Sequence, residues 1–131
     1  MKKYIGTKQI EAEPMTMGEA DKNRLIAVGE KLSKEEQSIE GYHIKYDDGV
    51  ESWLPKDVFE NTYKVADTFK DYLHIEQQDL AEKLSKLCAF VDTPKFEEVV
   101  KDEHQRDLLL QQRDYMGEYL NILTQRIKSL E

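Results

Sequence analysis

Gly41–Tyr63, GYHIKYDDGVESWLPKDVFENTY, decides the fold of this chain. Tyr42, Ile44 and Tyr46 alternate with His43 and Lys45, the period of a half-buried strand. Asp47-Asp48-Gly49 supplies a tight turn in which glycine is free to take positive φ. Val50–Leu54 returns as a second strand carrying Trp53. Pro55 ends it, because proline donates nothing to a ladder and suits a helix start. Lys56–Tyr63 then has room for one or two helical turns.

Upstream, Tyr4–Glu13 alternates loosely and predicts a strand that Pro14 stops. Thr16 and Glu19 have the spacing of a capping box. They predict a short helix through about Val28, with Gly29 near its end. Lys31–Glu40, KLSKEEQSIE, is charged, weakly periodic and demands no burial, so it reads as a surface loop. Downstream the composition changes, and Asp67–Glu131 contains one glycine and one proline. Leu73, Leu80, Leu84, Leu87 and Val91 repeat at spacings of 7, 4, 3 and 4, the seam of a long helix. Leu109, Met116, Leu120, Leu123, Ile127 and Leu130 mark a second, after a break at Thr93-Pro94-Lys95. The expected fold is α+β: a small N-terminal antiparallel sheet with short helices over residues 1–66, then an antiparallel helical hairpin over 67–131. Leu108, Tyr115, Tyr119 and Ile122 add an apolar stripe beside the second seam. The N-terminal sheet or a second copy of the chain must cover it; its length favours the second copy.

Composition narrows function. The chain has 131 residues, with 19 Lys+Arg against 27 Asp+Glu, a net charge of −8. Such a chain repels duplex nucleic acid and anionic membrane. Any anionic ligand needs a local pocket. Cys88, the single cysteine, excludes an intrachain disulfide; it lies in an apolar stripe and reads as a buried small hydrophobe. The N-terminus has no apolar signal region, and no run approaches the roughly 20 residues that span a bilayer. The expected setting is cytoplasmic.

No metal-ligand spacing links His43, His74 and His104, and no phosphate loop or nucleophile elbow is present. The pattern predicts neither an enzyme nor a cofactor. Arginine is more telling: of Arg24, Arg106, Arg113 and Arg126, three fall on the last helix. Arg106 and Arg113, seven apart, project from nearly one face, and Gly117 nearby lets something approach the backbone. This fits an anion pocket, since arginine recognises phosphate bidentately. Spacing alone favours a structural use instead: intrahelical pairing, for instance of Arg113 with Asp107 or Asp114, or packing across the hairpin. Phe90 and Phe96 flank the break, where aromatics serve as core or stack on a nucleobase.

Two quoted halves carry a resemblance. KKYIGTKQIEAEPMTMGEA with GYHIKYDDGVESWLPKDVFENTYK resembles an N-terminal module of small phage and prophage proteins. LCAFVDTPKFEEV with LLLQQRDYMGEYLNILTQRI resembles the C-terminal part of a family related to crAss-like phage proteins. Together they resemble the first-described Thoeris anti-defence sponge family. The resemblance implies a non-catalytic protein that sequesters signalling nucleotides, cyclic ADP-ribose isomers and in some members CBASS cyclic oligonucleotides, in the host cytoplasm. It implies assembly through the helices, as a dimer or a trimer of dimers. It implies a pocket at the subunit interface, with an aromatic on the base and basic residues on phosphate. The placements here are Phe90, Lys64, Arg106, Arg113 and Arg126, Lys64 standing where relatives carry arginine.

Overall fold

The computed structural model describes all 131 residues. They divide into two units, Met1–Lys64 and Val65–Glu131.

The first unit is built on a three-stranded antiparallel sheet, order β1-β2-β3: β1 Glu11–Thr16, β2 Glu40–Lys45 and β3 Glu51–Pro55. The β2–β3 hairpin is the one expected. Gly49 takes φ +86°, and Tyr46 N–H donates to the Val50 carbonyl at 2.9 Å. That bond fixes which residues face which edge. Alternation along the ladder points the backbone groups of Ser52 and Leu54 at β2, and those of Glu51 and Trp53 away from it.

Trp53 ties the three strands together. Its indole N–H donates to the Met15 carbonyl on β1 at 2.8 Å, reaching past β2. The ring crosses β2 at Gly41, where a Cβ would collide with Trp53 Cζ2 and the Leu54 carbonyl. Trp53 is 8 % exposed. Beside it, His43 on β2 contacts Glu13 of β1 through Nδ1 (3.2 Å) and Glu51 of β3 through Nε2 (2.8 Å). On the alternate register Ile44 is fully buried. Tyr42 stacks on Phe59 of α3 (Lys56–Thr62), with ring centroids 4.1 Å apart.

Four sequence expectations in this unit are corrected. The first strand starts at Glu11, not Tyr4, and runs through Pro14, which pairs with Tyr42. Proline is tolerated because β1 is an edge strand and position 14 faces its free side. The first helix, α1 (Met17–Lys22), stops well short of Val28. It ends in a Schellman turn: Leu25 N–H bonds the Ala20 carbonyl, and Arg24 N–H bonds that of Asp21. Arg24, at φ +58°, takes the left-handed position expected of Gly29. The Lys31–Glu40 loop contains α2 (Lys34–Gln37), closed by a Ser33/Glu36 capping box. Leu32, which the loop reading left outside, is 5 % exposed.

The second unit is an antiparallel hairpin of α4 (Phe69–Val91) and α6 (Glu103–Ser129). Thr68 and Asp71 form a capping box at the start of α4, whose backbone N–H groups at Thr68 and Asp67 hold the Asp71 carboxyl below its ordinary pKa. Leu73, Leu123 and Ile127 form the core, with Leu80 packed against it. The break is longer than expected. It carries a short helix, α5 (Lys95–Val99), and the second long helix begins only after its cap, Asp102. Phe96 of α5 is buried and meets Phe90 edge to face at 5.6 Å. Cys88 is half-buried rather than fully buried. Neither helix is long and apolar enough to cross a membrane.

Two outcomes follow for the first unit. Gly41→Ala should lower its stability by about 3 kcal/mol or more, because the indole or the β3 backbone must move; urea unfolding followed by Trp53 fluorescence measures it. The Glu13 hydrogen bond, then that of Glu51, raises the His43 pKa above 6.5, against the effect of burial. A raised folded-state pKa adds stability that is complete below about pH 6.5 and disappears as pH rises through the folded value. The urea midpoint should therefore fall on going from about pH 6 to pH 9, and His43→Gln should flatten that fall.

Candidate functional site

The predicted ligand residues fall in two places. Lys64 closes the first unit. Phe90, Arg106, Arg113 and Arg126 belong to the hairpin. Gln77 on α4 donates to Thr124 Oγ1 on α6 at 3.1 Å, which fixes the antiparallel register. Each step along α4 toward the connector matches one step back along α6, so Phe90 stands level with about Gln111. Arg106 and Arg113 straddle that level. Arg126 lies about 20 Å further along α6 than Arg113, at the open end of the hairpin.

The three arginines on α6 differ in what they hold. Arg106 Nη1 donates to the carbonyls of Val100 (2.9 Å) and Lys101 (3.0 Å). It satisfies the connector that ends α5, a structural use that spacing alone did not reveal. Arg113 Nε and Nη2 both approach Asp114 Oδ1 at 3.2 Å. The intrahelical pairing left open by the sequence therefore exists. It is partly exposed and contributes little. A doubly charged ligand would compete with one monodentate carboxylate for that guanidinium. Arg126 sits over the ring of Phe69, 5.9 Å from its centroid, and no carboxylate pairs with it. Phe69 is 65 % exposed. This second arginine–aromatic pairing was missed, since Phe69 starts α4 more than 50 residues before Arg126. Only the antiparallel closure brings them together.

Leu108, Tyr115, Tyr119 and Ile122 are all exposed. They recur at helical spacing along α6, so the surplus stripe exists as a continuous face. Gly117, between Tyr115 and Tyr119, has no atom within 4 Å of where its Cβ would stand.

The first unit has an open cleft of about 360 Å³ lined in part by Thr16, Glu19, Glu40, Tyr42 and Lys56. Its one cation, Lys56, is paired with Glu40 at 3.4 Å, a contact that raises the lysine pKa. Two carboxylates against one paired ammonium make the cleft unsuited to an anion, and none of the predicted ligand residues lines it. No group of His, Cys, Asp and Glu side chains is arranged to hold a metal.

Residues 67–129 match the protein-family model described as Sequestin, a name that speaks of sequestration rather than catalysis. The match runs from just before the capping box of α4 to the end of α6. No curated protein and no solved structure matches the chain significantly.

The role seen for Arg106 can be measured. Arg106→Ala should destabilise the helical unit by about 1–2 kcal/mol, by removing a charged donor from two carbonyls. Thermal melting followed by circular dichroism at 222 nm reads this directly.

Proposed function

We propose that the protein binds a signalling nucleotide and withholds it from its receptor, without cleaving it. The observation that carries this reading is the match of the helical unit, residues 67–129, to the Sequestin family. The ligand class is cyclic ADP-ribose isomers or cyclic oligonucleotides, and the setting is an infected bacterial cell whose antiviral signalling, Thoeris or CBASS, is blocked. Phe90 stacks on the base; Arg113 holds phosphate, with Arg126 as a further basic contact. Arg106 supports the turn beside them.

The arrangement suits this role. One protomer keeps Arg113 and Arg126 about 20 Å apart, too far for one small ligand to bridge. At about 100° per residue Arg126 projects from the same face of α6 as the Leu108–Ile122 stripe, so pairing of two hairpins along it brings the Arg126 side chains of two copies into one interface, while Arg113 stands on the other side of the helix. Burying Tyr115, Tyr119 and Ile122 supplies the apolar contribution to that pairing.

The exposed stripe also supports a second reading, in which it receives a host protein and no nucleotide binds. Titration calorimetry with cyclic ADP-ribose isomers and cyclic di- and trinucleotides separates the two. Heat from at least one ligand, and recovery of that ligand intact after denaturation, is the expected result. Silence across the panel would eliminate the sponge, and a cleaved product would make the protein an enzyme. Arg113→Ala should weaken binding at least about 100-fold, equal to losing one charge-assisted contact of roughly 3 kcal/mol, while light scattering shows the same oligomer. Unchanged affinity would move the site elsewhere.

A further inference from the structure

The open end of the hairpin brings together two side chains that the core does not use. Phe69, the first residue of α4, is 65 % exposed. Arg126, in the last turn of α6, stands over its ring, 5.9 Å from the centroid. The core is made by Leu73, one turn after Phe69, and by Ile127, the residue after Arg126, together with Leu123. These buried neighbours hold the backbone that carries the pair. The Thr68/Asp71 capping box fixes the first turn of α4, and two backbone N–H groups engage the carboxylate of Asp71, the acid of that turn.

Each half of the pair gives something up. A phenylalanine this exposed forgoes apolar burial. The chain has a net charge of −8, yet Arg126 has no carboxylate. Its guanidinium lies at the outer limit of cation–π attraction, about 6 Å, so the ring holds it loosely and its N–H donors stay open to solvent. Elsewhere on the hairpin the same groups are taken: Arg106 holds two carbonyls, Arg113 holds Asp114, and Phe90 meets buried Phe96. Ile122, one turn before Arg126 on the same face, is 55 % exposed and extends the apolar surface beside the guanidinium. Arg126 lies about 6 Å past Ile122 along the axis, at the rim of an interface formed on the stripe and not at its centre.

We propose that Phe69 and Arg126 form a second binding site, for a flat aromatic ring that carries a phosphate. The ring stacks on Phe69 and the phosphate accepts from the guanidinium. A base and a phosphate of one nucleotide match the two groups, and a guanidinium fork with no carboxylate on it receives the phosphate without displacing anything. The site is complete within one chain, about 20 Å along α6 from Arg113. It gives Arg126 an aromatic partner of its own, and it rests on the reading above only for the nucleotide as class of ligand.

NMR titration of the full chain with adenosine 5′-monophosphate (AMP), with adenosine and with inorganic phosphate tests it, read at the Arg126 Nε–H and the Phe69 ring protons. AMP should shift both groups with one dissociation constant. Adenosine or phosphate alone keeps one of the two contacts and should bind at least about tenfold more weakly. Phe69→Leu, which keeps apolar bulk at the helix start, should weaken AMP about tenfold or more and leave phosphate binding at Arg126 unchanged. Phe69→Tyr should keep AMP, and circular dichroism shows that both variants fold. No AMP shift at either group, phosphate binding as tightly as AMP, or AMP affinity kept by Phe69→Leu would each overturn the site. Its failure is distinct from that of the sponge. Heat from a cyclic ligand without AMP shifts at Phe69 removes this site alone, and AMP shifts beside a silent calorimetric panel support this site alone.

Discussion

The first unit depends on one side chain crossing one strand. A three-stranded sheet of five- and six-residue strands buries little, and such sheets need a partner surface to persist in water. Trp53 provides that surface from within. Its ring covers Gly41 and its N–H is satisfied by Met15, so a single residue of β3 holds β1, which is far away in sequence. The glycine is as necessary as the tryptophan, because any Cβ occupies the place of the ring. With the first strand fixed, Thr16 is placed to cap α1. The chain then returns through α2, whose Gln37 backs directly onto Gly18, and Met17 N–H reaches the Ile39 carbonyl. His43 adds a second tie across all three strands, one that depends on its proton.

What was legible in the sequence follows from how local each signal is. The β2–β3 hairpin was readable because alternation, the Asp-Asp-Gly turn and Pro55 lie within fifteen residues and agree. Both long helices were readable from seams that persist over several turns. The failures share a cause. Pro14 was read as a stop, although whether proline ends a strand depends on which side its neighbour lies, and β2 begins 26 residues later. Arg24 was not read as a helix terminus, because a left-handed arginine is fixed by the Schellman bonds rather than by its own preference. Leu32 looked dispensable within a charged loop, yet the Ser33/Glu36 box beside it was a signal of the kind already used at Thr16 and Glu19.

The candidate site shows the same division. Spacing identified arginines on one helix but not their obligations. Arg106 holds two carbonyls, Arg113 holds a neighbouring carboxylate, and Arg126 lies over an aromatic ring. These are contacts of different cost to break. A buried or doubly bonded guanidinium is held in place, whereas one lying on an exposed ring keeps most of its donors in water. The three guanidinium groups of α6 therefore differ in what would have to be displaced to free them, Arg106 most of all.

Pro14 has a consequence beyond the strand that holds it. It removes one donor from the β1 margin, where the outward groups of Ala12 remain, whereas the outward groups of the opposite margin, at Glu51 and Trp53, are complete. A strand laid along the first margin would leave one of its own carbonyls without a partner, and a strand laid along the second would not. A single imino acid thus makes the two margins of this sheet unequal.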